Sequence, residues 1–90
     1  VIQLVFSVLD DKACYFSSPF CAKNEQVAIR MFSDAAQDSR SEIGKHGSDF
    51  SLHALGTFDD SSGKMESFLV PKFLVRAISF INKEVENGHL

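Results

Sequence analysis

Serine, histidine and aspartate all occur in this chain, but no G-x-S-x-G elbow lifts a serine onto a strand-to-helix turn. Nothing in the spacing assembles a nucleophile, its base and the acid that orients the base. The metal-ligand types are His46, His53 and His89 with Cys14 and Cys21. They form neither C-x-x-C nor H-x-x-x-H, the spacings that bring two ligands to one ion, so no metal site and no cofactor are expected. Gly44-Lys45 and Gly63-Lys64 lack the glycine-rich lead and the following Ser or Thr of a phosphate loop. Asp10-Asp11 and Asp59-Asp60 are paired carboxylates among turn residues, where solvated acids are the simpler reading than a glycosidase pair or a cation site. No catalytic residue is assigned, and the chain is not expected to be an enzyme.

Binding chemistry is better represented. A single nucleic-acid strand is gripped by basic side chains along its backbone and by aromatic faces on which its bases stack. Lys12, Tyr15, Phe16, Phe20, Lys23 and Arg30 supply those types within one stretch, and Arg40, Lys45 and His46 extend it. Each has a plainer reading. Phe16 and Phe20 are the kind of rings that anchor a core, and Arg30 is the kind of helix residue that pairs with a nearby acid.

The elements that must position these residues follow from periodicity. Ile2 to Leu9 is apolar on both faces, interrupted at Gln3 and Ser7, which predicts a central strand ended by Asp10-Asp11. Lys12 to Lys23 holds Tyr15, Phe16 and Phe20 but is broken by Ser17-Ser18-Pro19, and reads as an aromatic-rich loop. Asn24 is an N-cap candidate for a helix with the stripe Val27, Ala28, Met31, Phe32 and Ala35, ending near Gln37. A polar connection follows, with one turn near Ser41–Ile43 closed by Gly44. Phe50, Leu52, Ala54, Gly56 and Phe58 alternate as one strand face, Asp59 to Gly63 reverses the chain, and Lys64 to Val70 returns, making a β-hairpin. Pro71 then suits the first turn of a second helix with the stripe Phe73, Leu74, Ala77, Ile78 and Ile81, stopping at Gly88.

The expected fold is therefore α+β: a single domain over residues 1–90, with a three-stranded sheet in β-α-β-β-α order and both helices packed on one face. The other face would carry Val1, Val5, Leu9, His53 and Leu55, too apolar to stay wet. Either the Tyr15–Phe20 loop or a second copy of the chain would cover it. A homodimer is expected, with Val1, Val5 and Leu55 in its interface.

Nine Lys and Arg against twelve Asp and Glu give a net charge of −3, spread evenly along the chain, which argues against a strongly basic nucleic-acid binder. No apolar run approaches the roughly 20 residues of a membrane-spanning helix, so no membrane association is expected. Val1 to Leu9 lacks the basic start of a secretory leader. Two cysteines are too few for a disulfide-built scaffold, and both are read as reduced, partly buried thiols in a cytoplasm.

Five blocks carry a resemblance: V-F-S-V-L-D-D-K-A at 5–13, F-x-x-P-F at 16–20, A-I-R-M-F-S-D-A at 28–35, K-H-x-x-D-F-S-L at 45–52 and L-G-T-F-D-D-x-x-G at 55–63. Together they resemble the small non-structural protein of gokushovirus-type microviruses, phages with circular single-stranded DNA genomes. Pro71-Lys72 departs from the Pro-Glu-x-Leu-like stretch common in that family. The resemblance implies a protein made in the cytoplasm of an infected bacterium. It would bind single-stranded DNA or favour single-strand genome synthesis coupled to packaging. It carries over no site residues. A protein–protein adaptor docking on a phage or host replication or assembly factor is the alternative, favoured by the acidic charge and the apolar second face.

Overall fold

The first apolar run becomes β1 (Ile2–Asp10), which lies inside the sheet. It pairs on one side with β4 (Phe50–Asp59), and on the other with two short strands, β2 (Tyr15–Phe16) and β3 (Phe20–Ala22). β5 (Lys64–Arg76) completes the sheet beyond β4, and every pairing is antiparallel. Two helices, α1 (Glu25–Gln37) and α2 (Glu42–Lys45), and a single 3-10 turn at Gly47–Asp49 connect β3 to β4. The computed structural model describes residues 1–81.

This overturns the expected three-stranded sheet with two helices on one face. The chain is mostly sheet: five antiparallel strands, curled, with α1 as its one long helix among the described residues. Two local effects explain the difference. The aromatic-rich segment is an interrupted edge strand. The Ser17 N–H still bonds the Val8 carbonyl at 2.8 Å, and the Ser17 hydroxyl takes the Val8 N–H at 3.2 Å. Pro19, which has no N–H to give, sits in the interruption, where a sheet edge tolerates it. At the other end, the stretch from Pro71 to Arg76 continues β5, and helical backbone begins only at 78. A register shift opposite Leu52 and His53 leaves Leu74 as an extra residue between Phe73 and Val75. That bulge sets apolar side chains next to one another in sequence and imitates a helical stripe. The expected helix end at Gly88 lies outside the described residues.

A second bulge decides which side chains reach the core. Leu55 has no partner on β1, where Val5 pairs Gly56 and Phe6 pairs Ala54. The alternation therefore flips at Leu55: Phe50, Leu52 and Ala54 face α1, whereas Gly56 and Phe58 take the opposite face with Val5 and Gln3. The core combines Phe6, Leu52 and Ala54 of the sheet with Ala28, Phe32 and Ala36 of α1 and Ala77. Four alanines let the helix settle close to the sheet. Phe6, Leu52 and Phe32 are the large buried groups, each worth about 1.5–3 kcal/mol of burial. The expected helix stripe is rotated toward Ala36: Val27 and Met31 are 41% and 49% exposed.

Helix α1 starts as expected. Asn24 is its N-cap, and its side-chain oxygen accepts the Val27 N–H at 2.9 Å. Asp10 ends β1 by accepting the N–H groups of Lys12 and Ala13, and Cys14 closes that turn with φ of +63°.

Candidate functional site

Away from α1, the face that needed a cover is closed by its own chain. The Ser7 hydroxyl, fully buried in β1, donates to the Ser17 carbonyl at 2.7 Å. Pro19 lies beside Val5, and Phe16 meets the His53 ring edge-on with centroids 5.4 Å apart. Phe73 meets the same ring from β5 at 5.6 Å. Of the three residues expected in a dimer interface, Val5 is only 4% exposed and out of a partner's reach; Leu55 is half-buried, and Val1 is exposed at the far end of β1.

His53 sits between those two rings. Its Nε2 lies 3.0 Å from the Ser51 hydroxyl, and its Nδ1 is buried without a hydrogen-bond partner. Burial pushes the imidazole below its usual range; the Asp11 carboxylate opposes that shift and the Arg76 guanidinium adds to it. Ser51 is fully buried, so its hydroxyl cannot meet a substrate. The pair is a packing contact of the sheet. Arg76 ties the same region together by donating to Asp11 at 2.6 Å and to the Ser48 carbonyl at 3.1 Å.

The other candidate surface is a groove between α1, α2 and the β2–β3 edge. Its apolar stretch is lined by Phe20, Met31, Phe32, Ala35, Ile43 and Val8. It continues past Tyr15 and Phe50 and ends among Asp10, Lys12, Glu42, His46 and Asp49. Strand geometry separates the aromatics named from sequence. Tyr15 pairs Asp10 and faces the groove, 62% exposed, whereas its neighbour Phe16 points to the other face and onto His53. Phe20 lines the groove but leans on Phe6, with centroids 5.8 Å apart. Tyr15 is thus the one ring of the three that stands free.

The cations divide cleanly. Arg40 pairs with Asp38, Lys64 with Glu66, Lys72 with Glu25 and Arg76 with Asp11. Among the described residues, Lys12, Lys23, Arg30 and Lys45 have no acidic partner and are exposed. Lys12 lines the groove, Lys23 joins β3 to α1, Arg30 precedes Met31, and Lys45 precedes His46. His46 lies 3.9 Å from the Glu42 carboxylate. Sequence reasoning did not mark Val27, Met31, Ile43 and Phe50 as surface-forming. The signal was there for α1, whose apolar residues span a wider arc than one buried stripe requires.

Cys14 and Cys21 are free thiols and both are exposed, not partly buried as expected. Among the described residues, no group of three or more His, Cys, Asp or Glu side chains could hold a metal ion, and no helix is long and apolar enough to cross a membrane.

No curated protein and no solved structure matches the chain. A family model does, and it runs from the second residue of β1 through the end of the core. The chain is a phage protein and belongs to the family described as Phage ORF5 protein, whose model matches residues 3–80.

Proposed function

We propose that this phage protein is a non-catalytic single-stranded-DNA-binding protein of the gokushovirus type. It would work in the cytoplasm of the infected bacterium, where single-strand genome synthesis is coupled to packaging. The observation that carries this is the division of the cations: among the described residues, four exposed ones have no acidic partner, of which Lys12 lines the groove holding Tyr15, Lys45 stands on α2 beside it, and Lys23 and Arg30 lie on the adjoining surface before and along α1. Phosphates follow unpaired cations, and an exposed ring gives a base a face to stack on. Asp10, Glu42 and Asp49 stand among Lys12 and Lys45 at the α2 end, so the phosphates would meet those two cations at its rim while the bases run along the Tyr15–Met31 stretch.

Fluorescence anisotropy with a labelled oligothymidylate tests this. Four phosphate contacts on a single strand give a log–log salt slope of about −3. Replacing Lys12, Lys23, Arg30 and Lys45 together by alanine flattens that slope. Tyr15→Ala costs about 1–3 kcal/mol of stacking and leaves the slope unchanged. Absence of binding at low salt, or a quadruple variant that binds as tightly as the parent, refutes it.

The adaptor reading has its own support. The middle of the groove is almost wholly apolar, and Val27 and Met31 beside it are exposed on α1, as on a surface that takes an amphipathic segment of another protein. Salt tells the two apart: binding to an apolar groove survives salt that removes DNA.

A further inference from the structure

Beside Tyr15 the groove holds a hollow of about 230 Å³, lined by Val8, Phe20, Met31, Phe32, Ala35 and Ile43. Val8, Ser17 and Ile43 border both the hollow and the Tyr15 stretch, so the two lie next to each other along one path. A strand with one base stacked on Tyr15 carries a neighbouring base to the mouth of the hollow. Among the described residues, Ser17 is the one polar side chain of the lining, and its hydroxyl is already taken. It accepts the Val8 N–H at 3.2 Å and lies 3.2 Å from the Ser7 hydroxyl. The Ser17 N–H and the Val8 carbonyl bond each other at 2.8 Å. An amine or carbonyl of a base that entered the hollow would give up its water and gain no partner, which costs affinity. A methyl group that entered would exchange water for apolar neighbours, which gains it.

The pyrimidines differ in these groups. Thymine carries a C5 methyl beside the O4 acceptor, uracil has the same edge without the methyl, and cytosine sets the N4 amine in place of O4. We propose that the hollow is a thymine-methyl site, which takes one C5 methyl among Phe20, Met31 and Ile43 and leaves the Watson–Crick edge of that base in water at its mouth. The inference rests on the single-stranded-DNA reading above and adds a base preference to it: thymine over uracil, and thymine over cytosine. The charges beside the hollow suit this occupant. Ile43, which lines it, stands on α2 two residues before Lys45, and Lys12 lines the groove beyond Tyr15. Both ammonium groups are exposed and without an acidic partner among the described residues, so the phosphates flanking the base meet cations on the rim. Such a site separates DNA, whose thymine bears the methyl, from RNA, whose uracil does not.

Fluorescence anisotropy with oligothymidylate and oligodeoxyuridylate of the same length tests this, because the two strands share sugar, charge and Watson–Crick groups. One buried methyl is worth about fourfold in affinity, so the thymidylate binds about fourfold tighter, with the same salt slope as the deoxyuridylate. Oligo-5-methyldeoxycytidylate exceeds oligodeoxycytidylate by the same factor. Ala35→Leu fills the hollow, and Met31→Gln turns part of its lining polar; each brings the thymine-to-uracil ratio close to one. Tyr15→Ala weakens both strands and keeps the ratio. Both hollow substitutions put good helix formers on α1, and Met31 is 49% exposed, so the fold persists; circular dichroism checks each variant. If one fails to fold, the other and the comparison of the four oligomers on the parent decide. Equal binding of thymidylate and deoxyuridylate, still weakened steeply by salt, overturns the methyl site and leaves the DNA reading standing. A preference that survives both hollow substitutions overturns it too. Binding of neither strand at low salt removes the DNA reading and the methyl site with it.

Discussion

Replacing Gly56 by alanine tests the arrangement on which both edges of the molecule depend. A Cβ at this position would be driven onto the Glu66 carbonyl oxygen, with the Ser67 Cα at 2.9 Å and the Glu66 carbonyl carbon at 3.0 Å. All three are backbone atoms of β5, so no side-chain rotation relieves the clash. Gly56 pairs Ser67 where β5 leaves β4 to enter an arch over residues 68–71, and the strands must move apart there. Overpacking of this kind costs about 1–3 kcal/mol, and unyielding backbone places Gly56→Ala at the upper end. Alanine's lower unfolded-state entropy offsets about 0.4–1 kcal/mol of that. Thermal melts followed by circular dichroism read the remainder, at roughly 4–8 °C per kcal/mol for a domain of this size. Gly63→Ala is the internal control. Nothing lies within 4 Å of its added Cβ, and only the backbone φ of +78° opposes it. That left-handed conformation costs about 1–2 kcal/mol before the same entropic offset. The melting temperature therefore falls further for Gly56→Ala than for Gly63→Ala. If Gly56→Ala melts at or above the temperature of Gly63→Ala, β5 does not approach β4 as described, and the bulge at Leu55 loses its structural consequence.

Two further outcomes follow from the same structure. Asn24→Ala removes the side-chain acceptor of the Val27 N–H and destabilises the protein by about 1 kcal/mol, and Asn24→Asp restores most of it, as chemical denaturation will show. Burial holds His53 below its ordinary pKa of 6.5, so the native state keeps the ring neutral while the unfolded chain takes up a proton. The contribution is fully present above pH 6.5 and is lost as the pH falls toward the lowered native value. In urea melts between about pH 7.5 and pH 5, His53→Gln therefore loses less stability on acidification than the parent does; an equal loss in both proteins refutes the assignment.

The parts of the fold readable from sequence are those governed by neighbours along the chain. Asn24 caps α1 because its side chain needs only the third residue ahead, and Asp10 turns the chain with N–H groups two and three residues away. The hairpin at Asp59–Gly63 follows from turn residues between two alternating runs. What sequence concealed was set by distant partners. Leu55 looks like one member of an even alternation, and only the pairing of Val5 with Gly56 and of Phe6 with Ala54 makes it the extra residue. Pro71 and the crowded Phe73-Leu74-Val75 suggest a helix until β4 is present to take them as a bulged edge strand. For the candidate site, the residue types were legible and their grouping was not. Tyr15 and Phe16 are adjacent in sequence and lie on opposite faces of the sheet, and Val5, expected in an interface, is buried in its own chain.

The two edges of this sheet are interrupted in different ways, and the difference lies in their backbones. On the β2–β3 side, the ladder is broken after two residues, Pro19 removes a donor, and the Ser17 hydroxyl takes a hydrogen bond that a partner strand could otherwise compete for. An edge treated this way discourages strand addition, so whatever binds there does so through side chains: Tyr15, the apolar groove and the unpaired cations. The β5 edge is long and carries its apolar side chains outward between Glu66 and Lys72. Its interruption is the four-residue arch from Phe68 to Pro71, which denies a partner strand a regular ladder in another way: the backbone leaves the line of the edge while its apolar side chains stay exposed.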